Sequence, residues 1–165
     1  MTGLDVKKEV ILEAAALVTD MDFNVLDTHH AVLKQPQQYL DAMDDWNQKH
    51  HTASGLVAKV KTGTEPQKVE QDLITLIEKN FGSGRDAERP ILAGNSIAQD
   101  RLFIDAQMPK FASRLHYRML DVSSWKIIFN QKFGLKYDKQ GKHRALDDIQ
   151  ESINELKFYL KHFKI

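Results

Sequence analysis

The apolar positions near the start of the chain predict a β-hairpin. Val10 to Val18 is a near-continuous apolar run interrupted by Glu13, and residues 23 to 33 are rich in β-branched and apolar side chains. Thr19-Asp20-Met21-Asp22 lies between the two runs and is typical of a turn. The pattern therefore favours two strands joined by a tight connection, although the alanines of the first run would also suit a helix.

Spacings of three and four dominate the rest of the chain and predict helices that alternate with short strands. Pro36 begins one helical stretch (Tyr39, Leu40, Met43, Trp46), Ser54 is expected to cap a short helix, and residues 64–66 open a longer one. Residues 90–93 and 117–122 are predicted strands, and helices are expected from Ile97, Pro109 and Ser123, and again between Leu146 and Phe163. This order predicts an α/β fold in which a hairpin feeds a mixed sheet flanked by helices.

Composition narrows the class of protein. The chain has 165 residues, 23 basic against 23 acidic side chains, 42% hydrophobic residues and no cysteine. One domain spanning 1–165 is expected, and disulfide scaffolds and thiolate zinc sites are excluded. No apolar run could span a bilayer and no signal peptide is visible, so a cytoplasmic protein is expected. A neutral chain also argues against binding long nucleic acid through a basic surface, but not against small nucleic-acid ligands.

Two carboxylates and one histidine stand where predicted elements meet. Asp100 follows the strand that ends near Gly94, while His143 and Asp147 lie four residues apart at the start of the last helix. Ligands of α/β sheets gather at the strand ends and the adjoining helix starts, so these three could form an Mg²⁺ or Mn²⁺ site with a general base. The plainer alternative is that each aspartate only favours a helix N-terminus.

Five motifs in order change the balance between these alternatives. MTGLD (1–5), DDWNQKHHTASGL (44–56), GNSIAQD (94–100), HYRMLDVSS (116–124) and HRALDD (143–148) together resemble oligoribonuclease, of the DEDDh family of 3′-to-5′ exonucleases. The resemblance covers nearly the whole chain and is thinnest over 61–89 and 127–142. It implies an RNase H-like mixed sheet flanked by helices, in agreement with the pattern above.

The resemblance also implies a mechanism. Members of the family hold two divalent ions with four acids and activate water with a histidine; by motif position Asp100 is the third acid, Asp147 the fourth and His143 the histidine. Ions held in this way, Mg²⁺ or Mn²⁺, stabilise the attacking and leaving oxygens, and a neutral imidazole can accept the proton of water.

Substrate contacts carry over in the same way. Leu4 resembles the apolar wedge between bases, and Trp46 and His51 resemble the residues that close around the 3′ nucleotide. A polar cluster resembles the family's cage for a 5′ phosphate: Ser96, Tyr117, Arg118, Ser123 and Ser124. In the family the tyrosine and arginine come from the second subunit, which implies a homodimer with composite sites. Taken alone, Trp46 and Tyr117 would more simply be core or dimer-packing residues.

One part of the family pattern is absent from this sequence. The first two acids form an Asp-x-Glu pair on a strand directly before Met-Thr-Gly-Leu-Asp, and this chain begins at that methionine. Glu13 matches a glutamate on the family's second strand and does not replace them. A misassigned start, an omitted segment or a genuinely short and inactive chain would each explain this. We favour the first two, because the downstream motifs show no decay, and we expect the 165-residue chain alone to have little activity.

The expected function is degradation of short single-stranded RNA, from dinucleotides to a few nucleotides, to 5′-mononucleotides. Three alternatives stay open: an inactive truncated form, a module that binds short oligonucleotides without cleaving them, and a DEDDh exonuclease that acts on DNA or longer RNA.

Overall fold

The computed structural model describes residues 1–84, 87–138 and 144–163. Strands β1 (Glu13–Thr19) and β2 (Val25–Val32) form the predicted antiparallel hairpin, with Ala15 opposite His30. Asp20 shapes the turn, because its carboxylate accepts hydrogen bonds from the backbone N–H groups of Asp22 and Asn24, both at 2.9 Å. The hairpin prediction is therefore confirmed.

Strand β1 begins at Glu13, three residues after the start of the apolar run at Val10. Two backbone N–H groups before Glu13 donate hydrogen bonds to groups outside the hairpin. The N–H of Val10 donates to the hydroxyl of Thr2 (2.9 Å), and the N–H of Ile11 donates to the side chain of Gln107 (3.1 Å). This ties the N-terminal segment to both the hairpin and a distant helix.

The helical stretch predicted from Pro36 is two helices, α1 (Gln37–Asp41) and α2 (Asp45–Ala53). They are separate because Asp44 is extended and caps α2, accepting a hydrogen bond from the N–H of Asn47. The expectation that Ser54 caps the next helix is wrong. Ser54 ends α2, and Gly55, at φ 72°, precedes α3 (Leu56–Val60); the left-handed conformation there is one that glycine adopts without strain.

Helix α4 (Pro66–Phe81) follows as predicted. The remaining elements alternate: β3 (Leu92–Gly94), α5 (Ile97–Gln107), α6 (Pro109–Ala112), β4 (Met119–Asp121), α7 (Val122–Phe133) and α8 (Ala145–Leu160). The chain is thus of the expected α/β class. No helix in the described ranges is both long and apolar enough to cross a membrane.

The strands form two small sheets. β1 pairs antiparallel with β2, and β3 pairs parallel with β4, with Ala93 opposite Leu120. Among the described residues each of these strands has a single named strand as partner. Helix α8 packs against both β1 and β3, so it bridges the two sheets.

Most of the core lies between the hairpin, α4 and α5–α6. Its buried residues include Leu33, Val69, Leu73, Ile77 and Phe103. The buried residues of α4 include a set spaced by three and four (Val69, Leu73, Leu76, Ile77), and Glu70 and Ile74 are buried beside them. A second cluster packs beneath α1 and α3 (Val10, Leu12, Leu40, Met43, Leu56, Val60). The N-terminal segment is held between these two clusters, and with it the first residues of the candidate site.

Candidate active site

An open cleft of about 560 Å³ lies between the N-terminal segment and the start of α2. The described residues that line it come from these two parts of the chain: Met1, Gly3, Leu4, Asp44, Trp46 and Asn47. The structure therefore brings Leu4 and Trp46, which the sequence places 42 positions apart, onto the walls of one cleft. An apolar side chain and an indole ring that face the same open space can hold flat, unsaturated rings such as nucleobases.

Trp46 is held in place by its own helix. Its ring stacks on the imidazole of His50, with centroids 3.9 Å apart and planes 24° apart. The Nδ1–H of His50 donates to the Trp46 carbonyl (2.7 Å), and Asp44 fixes the start of the helix. Trp46 is 57% exposed, so the alternative that it is a core residue is wrong.

The Leu4 segment is fixed from two sides. The Nε2–H of His51 donates to the Met1 carbonyl (2.9 Å), and the side-chain amide of Gln99 donates to the Leu4 carbonyl (2.7 Å). Leu4 itself is 75% exposed. Burial lowers the pKa of His51, which keeps its imidazole neutral near pH 7. His51 therefore lies beside the N-terminal segment that lines the cleft, with its Nε2 engaged by the backbone of Met1.

Asp100 lies in the first turn of α5, directly after Gln99. Burial raises the pKa of the Asp100 carboxyl, against the opposing effect of a backbone hydrogen bond. The backbone nitrogen of Met1 lies near both Asp100 and Glu13. Asp100 therefore adjoins the N-terminal segment that lines the cleft. A partly desolvated carboxylate favours a cation beside it, and a hard oxygen donor suits Mg²⁺ or Mn²⁺.

Asp147 lies in the first turn of α8 and is partly exposed. In the described part of the chain no hydrogen bond joins it to Asp100, and no group of three or more acidic or histidine side chains is close enough to hold a metal ion. The two aspartates are suitable ligands, but they do not form a complete site by themselves. His143, the predicted general base, lies outside the described residues.

The predicted phosphate cluster is assembled in part. The N–H of Ser96 points at both the Asp121 carboxylate (3.0 Å) and the Ser123 hydroxyl (2.9 Å). Ser96 adopts a left-handed conformation (φ 52°) two residues after β3, and Ser123 is the second residue of α7, directly after β4. Because β3 and β4 are parallel neighbours, their carboxyl ends bring these two serines together. Ser124 is exposed, one position further along α7.

Tyr117 and Arg118 lie on the surface before β4. Tyr117 is 75% exposed and stacks on His116, and the Arg118 guanidinium carbon is 5.3 Å from the Tyr117 ring centroid. Within the residues described for this single chain, neither side chain bonds to the serine pair. Tyr117 is not a core residue, which leaves a role at a subunit interface open.

The sequence assigned no contact to three groups near the site. Gln99 holds the Leu4 segment. Asn95 donates to Ser152 (2.8 Å) and Glu155 (3.1 Å), which ties the end of β3 to α8. Glu13 and Arg144 form an ion pair at the start of α8 (2.6 Å). Glu13 could have been found because it is a charged residue within an apolar strand. Gln99 and Asn95 show no comparable signal in the sequence.

The chain is similar to known exonucleases over most of its length. The chain matches the RNase_T family, described as exonuclease, over residues 1–156. It is 42% identical to the mitochondrial oligoribonuclease of Homo sapiens over 165 aligned positions, which cover 96% of this chain and 68% of that protein. Similar values hold for the oligoribonucleases of Bordetella pertussis (42% identity, 98% of this chain and 90% of that protein) and Coxiella burnetii (39%, 98% and 89%).

Proposed function

The chain belongs to the RNase_T exonuclease family, and we propose that it is an oligoribonuclease that removes nucleotides from the 3′ ends of very short RNAs. Such a reaction converts dinucleotides and slightly longer oligomers to 5′-mononucleotides. The relatives at 39–42% identity bear the name oligoribonuclease, and exonucleases of this kind generally use divalent metal ions.

The observation that carries the proposal is the cleft shared by Leu4 and Trp46. A wedge and an aromatic ring on opposite segments can separate and stack the two bases of a dinucleotide. Stacking contributes about 1–3 kcal/mol per base and does not depend on the base. The chain has no net charge, and a ligand held by a few placed groups needs no long basic surface.

We assign the metal ligands to Asp100 and Asp147, with Mg²⁺ or Mn²⁺ as the ions. When bound, such ions supply charge for the attacking and leaving oxygens of the phosphodiester. The carboxylates of Asp100 and Asp147 hold oxygen ligands in place for the ions. His143 accepts the proton of the attacking water, since a neutral imidazole is the side chain best suited to do so near pH 7.

A site for two ions needs two more carboxylates, and we propose that one further strand carrying the family's Asp-x-Glu pair supplies them and completes a single exonuclease domain. β1 and β3 each pair with one named strand among the described residues, so each has an edge that can accept another strand. We expect the 165-residue chain to show little Mg²⁺-dependent cleavage, and a version extended by such a strand to cleave robustly. Robust cleavage by the shorter chain would contradict this assignment.

We also propose a homodimer in which Tyr117 and Arg118 act in the neighbouring subunit's site. Their exposure supports it, as does the finding that, among the described residues of one chain, neither side chain bonds to the serine pair that would share the phosphate. Subunit mixing tests it: Arg118→Ala and Asp100→Asn should each inactivate the extended enzyme, whereas an equal mixture should recover about a quarter of the activity, since half of the dimers then hold one intact site. No recovery after exchange of subunits would contradict composite sites.

The decisive experiment for the function compares a 5′-phosphorylated RNA dinucleotide with a 20-mer RNA and a DNA dinucleotide. We expect the RNA dinucleotide to be the best substrate, and His143→Ala to abolish turnover while binding persists. Preference for the 20-mer or for DNA would favour another exonuclease, and binding without cleavage by the extended chain would favour a binding module. A cytoplasmic location stays a prediction, to be tested by cell fractionation.

A further inference from the structure

The carboxylate of Glu13 sits at a junction of three segments. Its side chain is 7% exposed. Oε1 accepts hydrogen bonds from Nε (3.1 Å) and Nη2 (2.6 Å) of Arg144 and from Nε2 of His30 (2.7 Å). Oε2 accepts the backbone N–H of Ala145 at 3.3 Å. One carboxylate from β1 is thus bonded to β2 and to the start of α8.

These contacts are made at the first residue of α8 and at the residue before it. Arg144 precedes the helix in an extended conformation (φ −123°, ψ 140°), and its own side chain does not cap it. The Glu13 carboxylate takes the place of a cap, because it accepts the free N–H of Ala145 and lies at the positive end of a 16-residue helix. Arg144 Nη1 also donates to the Ser54 carbonyl (3.4 Å), which anchors the arginine to α2.

A partly buried acid within an apolar strand is costly unless it is paired. Burial alone would raise the pKa of Glu13, but the hydrogen bonds from Arg144, His30 and Ala145 outweigh it and hold that pKa below its usual value. Glu13 is therefore ionised at neutral pH. A packed apolar side chain would fit the same strand, yet it could not orient the helix start.

We propose that Glu13 is a positioning residue for the nuclease reaction: it fixes the first turn of α8, and with it Asp147, relative to the hairpin. The inference rests on the proposed function for its catalytic consequence, since it assigns Glu13 no contact with substrate. It predicts that a small displacement of this junction lowers turnover more than substrate binding, because misplacement of about 1 Å can cost on the order of a hundredfold in rate.

The first test is independent of activity and uses the 165-residue chain. Glu13→Gln keeps the size of the side chain and removes its charge; Glu78→Gln is the matched control, because Glu78 pairs with Arg114 (3.1 Å) and is half-exposed, away from α8. Hydrogen exchange is measured at the amides of residues 148–150, where Asp148 N–H donates to Arg144 O (2.9 Å), and at residues 155–160. We expect exchange at 148–150 to rise about tenfold or more in Glu13→Gln only, with 155–160 unchanged. Unchanged exchange, or an equal rise along the whole helix, would overturn the proposal.

The second test uses the extended enzyme on an RNA dinucleotide. Glu13→Gln should lower kcat about tenfold or more with KM within about twofold, and Arg144→Lys should retain an intermediate kcat because it keeps the charge but not the paired geometry. Equal kcat in Glu13→Gln and the parent would overturn the proposal. An inactive parent whose Glu13→Gln variant still shows the local rise in exchange would instead contradict the proposed function and leave the structural role of Glu13 supported.

Discussion

Replacing Trp46 with alanine tests whether the cleft binds bases by stacking. The indole is 57% exposed and contacts the His50 ring at 3.9 Å within the same helix. The substitution therefore removes a wall of the cleft without opening a cavity in the core. We expect the free energy of unfolding to change by about 1 kcal/mol or less, the range of an aromatic pair at a surface.

The loss in binding should be much larger. One stacked base is worth about 1–3 kcal/mol, and each 1.4 kcal/mol is about a factor of ten in the dissociation constant. Trp46→Ala should thus weaken binding of an RNA dinucleotide about 5- to 150-fold. Trp46→Phe, which keeps a smaller aromatic face, should lose less than Trp46→Ala.

Isothermal titration calorimetry with a 5′-phosphorylated dinucleotide measures this directly, with Ca²⁺ in place of Mg²⁺ to suppress cleavage. Trp125→Phe is the control, because Trp125 packs between Phe129 and Phe163, outside the cleft lining. Binding by a folded Trp46→Ala variant as tight as that of the parent would refute the stacking role. So would an equal loss in Trp125→Phe.

Three further predictions concern stability and are measured by chemical or thermal unfolding. Asp44→Ala should cost about 0.5–2 kcal/mol, because it removes the cap on the Asn47 N–H, whereas Asp44→Asn should cost less. Hydrogen bonds from Lys79 and Asn80 lower the pKa of the Asp27 carboxyl to about 2. The stability that this contributes is present above the unfolded-state pKa near 4 and is lost as pH falls towards 2. The free energies of unfolding of Asp27→Asn and the parent should therefore converge near that pH. Glu155→Ala should cost about 3 kcal/mol or more, because it leaves the Asn95 amide and the buried Tyr159 hydroxyl without this acceptor.

Most secondary structure followed from periodicity because single faces are buried. The inward residues of α4 repeat at three and four, and the hairpin runs are apolar with a polar turn between them. Prediction failed where one side chain decides a boundary. Asp44 caps α2 and splits the helical stretch after Pro36, and Gly55 takes the left-handed position next to Ser54. Predicting either helix boundary requires knowing which local hydrogen bond forms.

The candidate site likewise has residues that the sequence could predict and residues that it could not. Leu4, Trp46 and the Ser96–Ser123 pair could be named from motifs, and the structure brings each pair together, because parallel strand ends meet and the N-terminal segment crosses the start of α2. What motifs did not give is the set of residues that hold these groups: Gln99 on the Leu4 carbonyl and Asn95 between β3 and α8. An amide carries no pattern in sequence, since its role depends on a partner 57 to 95 positions away. Glu13 was visible in the sequence as the one charged residue in an apolar strand. Such a mismatch can indicate a positioning residue, because the cost of burying the charge must be offset by a contact that the strand alone does not provide.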